Sequence, residues 1–600
     1  MQTQQHGQQW WTKGWPYLVI TVACLIIIAP QLLTHSMILG SDSIFHFNRF
    51  YEAAKQIQNH NFSFFQTNYG FQQSGRIINA ICGPLFAYLN GCVLGMVGTW
   101  YRYEILSAIV IYWIAGVGMY QLARFVKSKR IVAVGLAIIY MNVGWLPRWE
   151  TAQNMNAWGA ALAPFLGICA VRMLQDHRQP VNSWQLLAIM TVIIQIHMLS
   201  SLFFIVTLIP FFIGGLVLAD DRRQMWWATI KAGIGTIVLT ANVWGALLSV
   251  EMTNSIAKPA PFPLEDSVLL LSWQNGSRDY LLSGLLLLFV IQILYIIVHY
   301  RDSVTNTVVT AVGTFFLVMS SPLVPWRWIG HLVPVLERFL QFPDRLTVIA
   351  YPLLLVGVAI TIRQCSLNQK SVYTTVPKGA AVFLLVVACW AQVANMVDIH
   401  RTSRSYHTAD VIVDQGGVSK HSPHDYMIRF SVHTDHPGQL LLLVEKRSPD
   451  YLPVTKHNLS KKYVRSYAYE RQIIEHVNEF KHTVLPGGRL QLTWRSNRSG
   501  QLRLPIVTYA QSRLVVNGRV VTNYHRSTIG APTIHQKRGF NKVVMQFVQP
   551  WWVTVLITGS LVGIILALLY GFIRLIQWGV KKYNSCYNTN ALNVGGHKHE

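Results

Sequence analysis

The sequence predicts an α-helical polytopic membrane protein, with about 12 transmembrane helices and a β-rich domain outside the membrane. Three observations predict it. Apolar residues make up 52% of the 600 positions and charged residues only 12%, about half the charge of a soluble globular chain. The apolar residues gather in runs of about 17–25, the length a helix needs to cross a bilayer. Lys and Arg outnumber Asp and Glu by 50 to 25, for a net charge of +25. Much of that excess falls in short clusters between the runs, as cytoplasmic loops require. This placement, without any nucleic-acid-binding motif, argues against nucleic acid as a partner and for the lipid bilayer.

The first run spans 15–33. Lys13 precedes it and no small-residue cleavage site follows, so an uncleaved first span with its N-terminus inside is expected. Further runs lie near 104–123, 131–147, 157–174, 184–199, 201–218, 226–249, 280–299, 305–321, 346–363, 379–397 and 551–577. On this path the basic clusters at 124–130, 172–178, 220–223, 300–302, 363–378 and 581–582 all fall inside, and both termini are cytoplasmic. The stretch 79–99 is apolar but broken by Gly83-Pro84 and Asn90-Gly91. Counting it as a span would put Lys127, Lys129 and Arg130 outside. It is therefore expected to lie in the outer interface or dip into it, with a thirteenth span as the alternative.

The organisation that follows is a transmembrane domain over 1–399 with a long first outer loop at 34–103, an extracytoplasmic β-rich domain over 400–549, and a last span with a cytoplasmic tail over 550–600. Strand-like runs in the β-rich block lie at 427–433, 440–444, 490–494, 502–507, 514–516, 520–521 and 542–547. Asn517-Gly518 between two of them is a hairpin signal, and a sandwich or jelly-roll-like module is expected. Lys446-Arg447, Lys456, Lys461-Lys462 and Arg465 give the block basic patches suited to an anionic acceptor. The seven cysteines are scattered and form no zinc spacing. They read as free thiols.

Candidate chemistry gathers at the outer rim. In the first loop Asp42, His46 and Arg49 stand at i, i+4 and i+7, which puts a carboxylate, an imidazole and a guanidinium on one side of a helix. The bland alternative makes Asp42 the N-cap of that helix and the other two a solvated face. Arg338 and Arg345 flank a Pro343-Asp344 helix start. There they either hold an anion or anchor the chain at the interface. His197 falls between two nearly continuous spans, and Glu150 and Glu251 sit on the same side. Nucleotide-binding loops, nucleophile elbows and metal signatures are absent. Any donor must then come from the lipid or from outside. No cofactor is indicated, and the need for a divalent metal stays open.

An acidic residue just after span one, a long part-embedded loop and many further spans resemble the GT-C superfamily of membrane glycosyltransferases. Gly-Ser-Asp-Ser-Ile-Phe-His at 40–46, Leu-Gln-Phe-Pro-Asp-Arg at 340–345, Asp-Tyr-Leu-Pro at 450–453 and Val-Asn-Gly-Arg at 516–519 resemble bacterial YfhO-like membrane proteins. The membrane proteins labelled "6-pyruvoyl-tetrahydropterin synthase-related" are similar too. Asp344 stands where this resemblance expects an aromatic. The resemblance implies a protein of the bacterial plasma membrane. It would transfer a sugar from a polyprenyl-phosphate-linked donor to an extracytoplasmic acceptor polymer such as lipoteichoic acid. It implies Asp42 as the catalytic carboxylate, Arg49, Arg338 and Arg345 as ligands of the donor phosphate, and His46, His197, Glu150 and Glu251 as substrate contacts. A transporter or flippase of lipid-linked sugar and a non-catalytic envelope scaffold are the other classes with this topology.

Overall fold

The computed structural model describes residues 2–273, 279–367, 376–413, 418–420, 425–454 and 466–595. Each of the twelve expected runs contains a helix. Among the described residues, seven helices are long and apolar enough to cross a membrane: Gly14–Thr34, Trp100–Phe125, Asn156–Gln175, Met198–Leu218, Pro343–Leu367, Lys378–His407 and Trp551–Val580. The pair Arg222–Leu239 and Ala241–Thr253, bent by 60°, makes an eighth. Arg130–Met141, Ser183–Ile196, Ser283–His299 and Val304–Met319 hold only 12, 14, 17 and 16 residues. At 1.5 Å per residue they rise about 18–26 Å, short of the ~30 Å hydrocarbon core. Seven or eight of the twelve expected spans are thus long enough as single helices among the described residues. In the 131–147 run apolar character continues past the helix end: Val143, Trp145 and Leu146 are buried in turns.

The first loop folds onto the end of the bundle. Its helix Ser43–Gln58 buries Ile44, Phe47, Phe50 and Ala54, and Phe47 stacks on Trp100 with centroids 4.2 Å apart. The doubtful 79–99 stretch forms a 14-residue helix, Pro84–Val97, which packs along Ser43–Gln58. A side chain at Gly91 would meet Ala54 N at 2.7 Å, so this glycine permits the close approach.

The 400–549 block is part helix. The runs at 427–433 and 440–444 are the helices Asp425–His433 and Gly438–Leu443, not strands. The alternation of Ile428, Phe430 and Val432 suggests a strand. In the fold Ile428, Ser431 and Val432 are buried at helical spacing while Phe430 is 70% exposed. Strands begin in earnest at residue 481. An antiparallel sheet orders Lys481–Leu485, Arg489–Ser496, Gly539–Phe547, Ser512–Val516 and Arg519–Val521, and a second sheet orders His525–Arg526, Pro532–Gln536 and Gly500–Arg503. Leu490, Leu492, Leu514, Ile534, Val543 and Met545 belong to one buried core. The Asn517-Gly518 turn is present, with φ of +49° and +87° as a two-residue hairpin loop requires.

From the basic clusters we propose that this block lies outside and the C-terminal tail inside. In a protein lacking its native cysteines, Ser499→Cys, at an exposed loop position, should react with a membrane-impermeant maleimide on intact cells. Ser585→Cys should react only after permeabilisation. Labelling of Ser585→Cys on intact cells would invert the topology.

Candidate functional site

Gly40 starts the site. A side chain there would meet Thr151 O at 2.1 Å, so only glycine lets the chain lie against the short helix Arg148–Ala152. Asp42 N then donates to Ala152 O at 3.0 Å. Asp42 occupies the N-cap position of Ser43–Gln58, yet its side chain makes no capping hydrogen bond. Its Oδ2 accepts from Asn154 Nδ2 at 3.0 Å. Asn154 Oδ1 in turn accepts from Asn156 N at 3.0 Å, which fixes the amide with its NH2 toward the carboxylate. Asp42 is half-buried. Burial pushes its pKa above the ordinary value, against the pull of Lys446, Asn154 and Arg148, while Asp450 adds to the rise.

Arg49 lies one helical turn past His46, is 1% exposed, and its Nη1 meets His46 Nδ1 at 3.1 Å. A guanidinium can only donate, so Nδ1 accepts and the imidazole proton resides on Nε2. Arg49 also donates to Asn79 Oδ1 at 3.1 Å and to the carbonyls of Cys82 and Gly83. These bonds hold the start of the Pro84–Val97 helix. Arg49 therefore presents charge more than open donors. Gly83, with φ +72°, sits where a side chain would meet Gln195 O at 2.4 Å, and this contact brings the loop beside His197.

His197 occupies the single-residue break between Ser183–Ile196 and Met198–Leu218. Its Nδ1 lies 2.8 Å from Ser200 Oγ. Burial and the charges of Arg345 and Arg49 push its pKa down to about 3, so the ring is neutral at physiological pH. Burial, then Arg49, His197 and Lys446, hold His46 well below the usual histidine range. Arg345 is 6% exposed. Its Nη1 donates to Leu340 O at 2.8 Å, and its guanidinium faces the Phe342 ring at 4.6 Å and the Trp145 ring at 5.8 Å.

His46, Arg49, His197 and Arg345 thus share one neighbourhood of two buried cations and two neutral imidazoles. Asp42 starts the helix that carries His46 and Arg49, and the charges acting on its carboxylate are those of Lys446, Asp450 and Arg148. The other expected residues stand apart. Glu150 is fully buried beneath the rim, accepting from Tyr112 Oη at 3.0 Å, and burial pushes its pKa well up. Glu251 is exposed at the end of Ala241–Thr253. Arg338 is half-buried on the short helix Leu336–Phe339. No group of three or more metal-ligating side chains occurs among the described residues.

Three features escape sequence reasoning. Lys446, expected on an acceptor-facing basic patch, turns inward and donates to Ser41 O at 2.7 Å. Its neighbour Arg447 pairs with Glu470 at 3.1 Å. The basic residues Lys456, Lys461, Lys462 and Arg465 lie outside the described residues. Asp450 comes close enough for its charge to oppose that of Asp42, and its own carboxyl is pushed up by burial. The third is Glu52, fully buried, which accepts the backbone N–H groups of Asn68, Tyr69 and Gly70 at 2.6–3.0 Å and Gln56 Nε2 at 2.7 Å. Only its position on the Ser43–Gln58 helix hinted at this. Glu52→Ala would strand several buried donors, each at about 1–3 kcal/mol. A loss of about 3 kcal/mol or more is expected, read as a lowered Tm in detergent.

No protein-family model matches the chain, and no curated protein matches it. Among solved structures it is similar to the Archaeoglobus fulgidus oligosaccharyltransferase in its apo form, with a TM-score of 0.38 and 14% identity over 66% of this chain and 56% of that one. It is similar also to archaeal oligosaccharyltransferase AglB from Archaeoglobus fulgidus in complex with an inhibitory peptide and a dolichol-phosphate, with a TM-score of 0.38 and 13% identity over 65% and 56%. The chain thus spans a little over half the length of these proteins. An overlap this loose carries no function across, and the chemistry rests on the side chains themselves.

Proposed function

We propose that this chain is a membrane glycosyltransferase of the GT-C type. It moves a sugar from a polyprenyl-phosphate-linked donor to a hydroxyl of an extracytoplasmic cell-envelope acceptor, such as lipoteichoic acid. One observation carries the reading: a carboxylate not used as a helix cap, held by Asn154 and acted on by Lys446 and Arg148, starts the helix that carries His46 and Arg49. Asp42 takes the proton of the acceptor hydroxyl as that oxygen bonds to the anomeric carbon. The bond from that carbon to the phosphate oxygen breaks, and its electron pair leaves with the phosphate. Arg49 and Arg345 stabilise the departing charge, an effect that grows where water is excluded. His46 and His197, being neutral, offer hydrogen bonds without adding charge.

The test is direct. Purified protein in nanodiscs, given a panel of polyprenyl-phosphate sugars with acceptor polymer, should release polyprenyl phosphate and glycosylate the acceptor. Movement of the intact lipid-linked sugar across vesicles without bond cleavage would favour a flippase. Neither outcome across the panel would favour a scaffold.

A further inference from the structure

We infer that a groove at the end of the bundle away from Asp42 binds one anionic glycerophospholipid. Two adjoining cavities, of about 510 and 580 Å³, share Trp184 and Leu187. The first is walled by Leu187, Val192, Ile564 and Leu568, the second by Asn182, Gln224, Trp227 and Lys231. One groove therefore runs from hydrocarbon-like walls to a polar, cationic mouth, the same gradient a phospholipid shows from acyl chain to head group.

Contacts set the depth of its charges. Ser183 Oγ donates to Ala228 O at 2.9 Å, and a side chain at Gly235 would meet Leu187 at 2.2 Å. Lys231 lies between those two positions, level with Trp184 and Leu187. From the other side Tyr570 stacks on Trp184 with centroids 5.0 Å apart. Arg574, one turn on, donates from Nε to Tyr570 Oη at 2.9 Å. Two cations thus flank one tryptophan. Among the described residues, neither Lys231 nor Arg574 lies within salt-bridge distance of a carboxylate. Amphipathic aromatics beside unpaired cations match the interfacial level of a bilayer. The opposite end of the Ser183–Ile196 helix is His197, so Trp184 at the cationic mouth of the groove lies 13 residues from His197, about 20 Å. Paired opposite an anionic head group, Lys231 and Arg574 discriminate against zwitterionic lipid. Each basic residue near an anionic surface is worth about fivefold, so the two together give about 30-fold.

The test is native mass spectrometry of the delipidated full-length protein, titrated with phosphatidylglycerol or phosphatidylcholine of identical chains. Wild type should retain one phosphatidylglycerol with a preference near 30-fold. The Lys231→Gln, Arg574→Gln double variant should lose that preference. The charge-preserving pair Lys231→Arg, Arg574→Lys should keep it, which separates a lost head-group contact from a damaged fold. Asp42→Asn should leave it unchanged. Equal affinity of wild type for both lipids, or an undiminished preference in the double variant, overturns the assignment.

Discussion

Lys446→Gln is expected to lower transfer by roughly tenfold, with the loss deepening as the pH falls. The charge-assisted hydrogen bond to Ser41 O is of a kind worth about 1.5–3 kcal/mol, and about 1.4 kcal/mol is tenfold in rate. The pH dependence has a separate cause. Around Asp42 stand Lys446, Arg148, Asn154 and Asp450, and His46 lies within reach of Lys446 as well. Lys446 is the largest influence holding the Asp42 carboxyl down against its burial. Without that ammonium the pKa of Asp42 rises. A base works only when ionised, so the acidic limb of the rate must move to higher pH. Lys446→Arg keeps the charge and should keep the limb in place. The measurement is the rate of sugar transfer against pH for wild type and both variants. A uniform loss across the pH range would reduce Lys446 to a structural tether. An unmoved limb would sever it from Asp42.

How much of this was legible in the sequence depends on distance along the chain. His46 and Arg49 face one side because helical periodicity is local, and the structure joins them at 3.1 Å. Asp42 was ambiguous between cap and reactant. Only the tertiary contact with Asn154, 112 residues away, decides that its carboxylate points off the helix. Lys446 was misassigned because beside Arg447 it reads as part of an acceptor-facing basic patch, while 403 residues of intervening chain conceal its approach to Asp42. Ile428 and Val432 fit both periods, Phe430 between them favours the strand, and burial alone selected the helical one. The span count is hard to read for a related reason: a buried turn and a bilayer select the same apolar residues. Glu150 and Glu251 were both expected at the outer rim, but nothing local distinguishes a carboxylate buried under Tyr112 from one exposed at a helix end.

Asp42→Asn should cut transfer by roughly 10²–10⁴-fold, the usual worth of a general base, with folding intact. The substitution is isosteric and discriminates between two roles. Asn caps a helix about as well as Asp, and the side chain makes no capping bond to lose, so a capping account predicts almost no effect. One contact does change: Asn154 Nδ2 donates to Asp42 Oδ2 at 3.0 Å, and the new amide can still accept there through its oxygen. What disappears is the capacity to take a proton. Removing a half-buried carboxylate whose pKa is raised by burial also relieves some strain on the fold. A raised folded-state pKa means that ionisation opposes folding as the pH climbs through it. The Tm of Asp42→Asn at neutral pH should therefore match or exceed that of wild type while transfer collapses. Stability up with activity down is the pattern of a group kept for chemistry. The measurement is sugar transfer by Asp42→Asn protein in membranes, matched to wild type for expression and Tm. Near-normal transfer would return Asp42 to a structural role and remove the central residue of the proposed reaction.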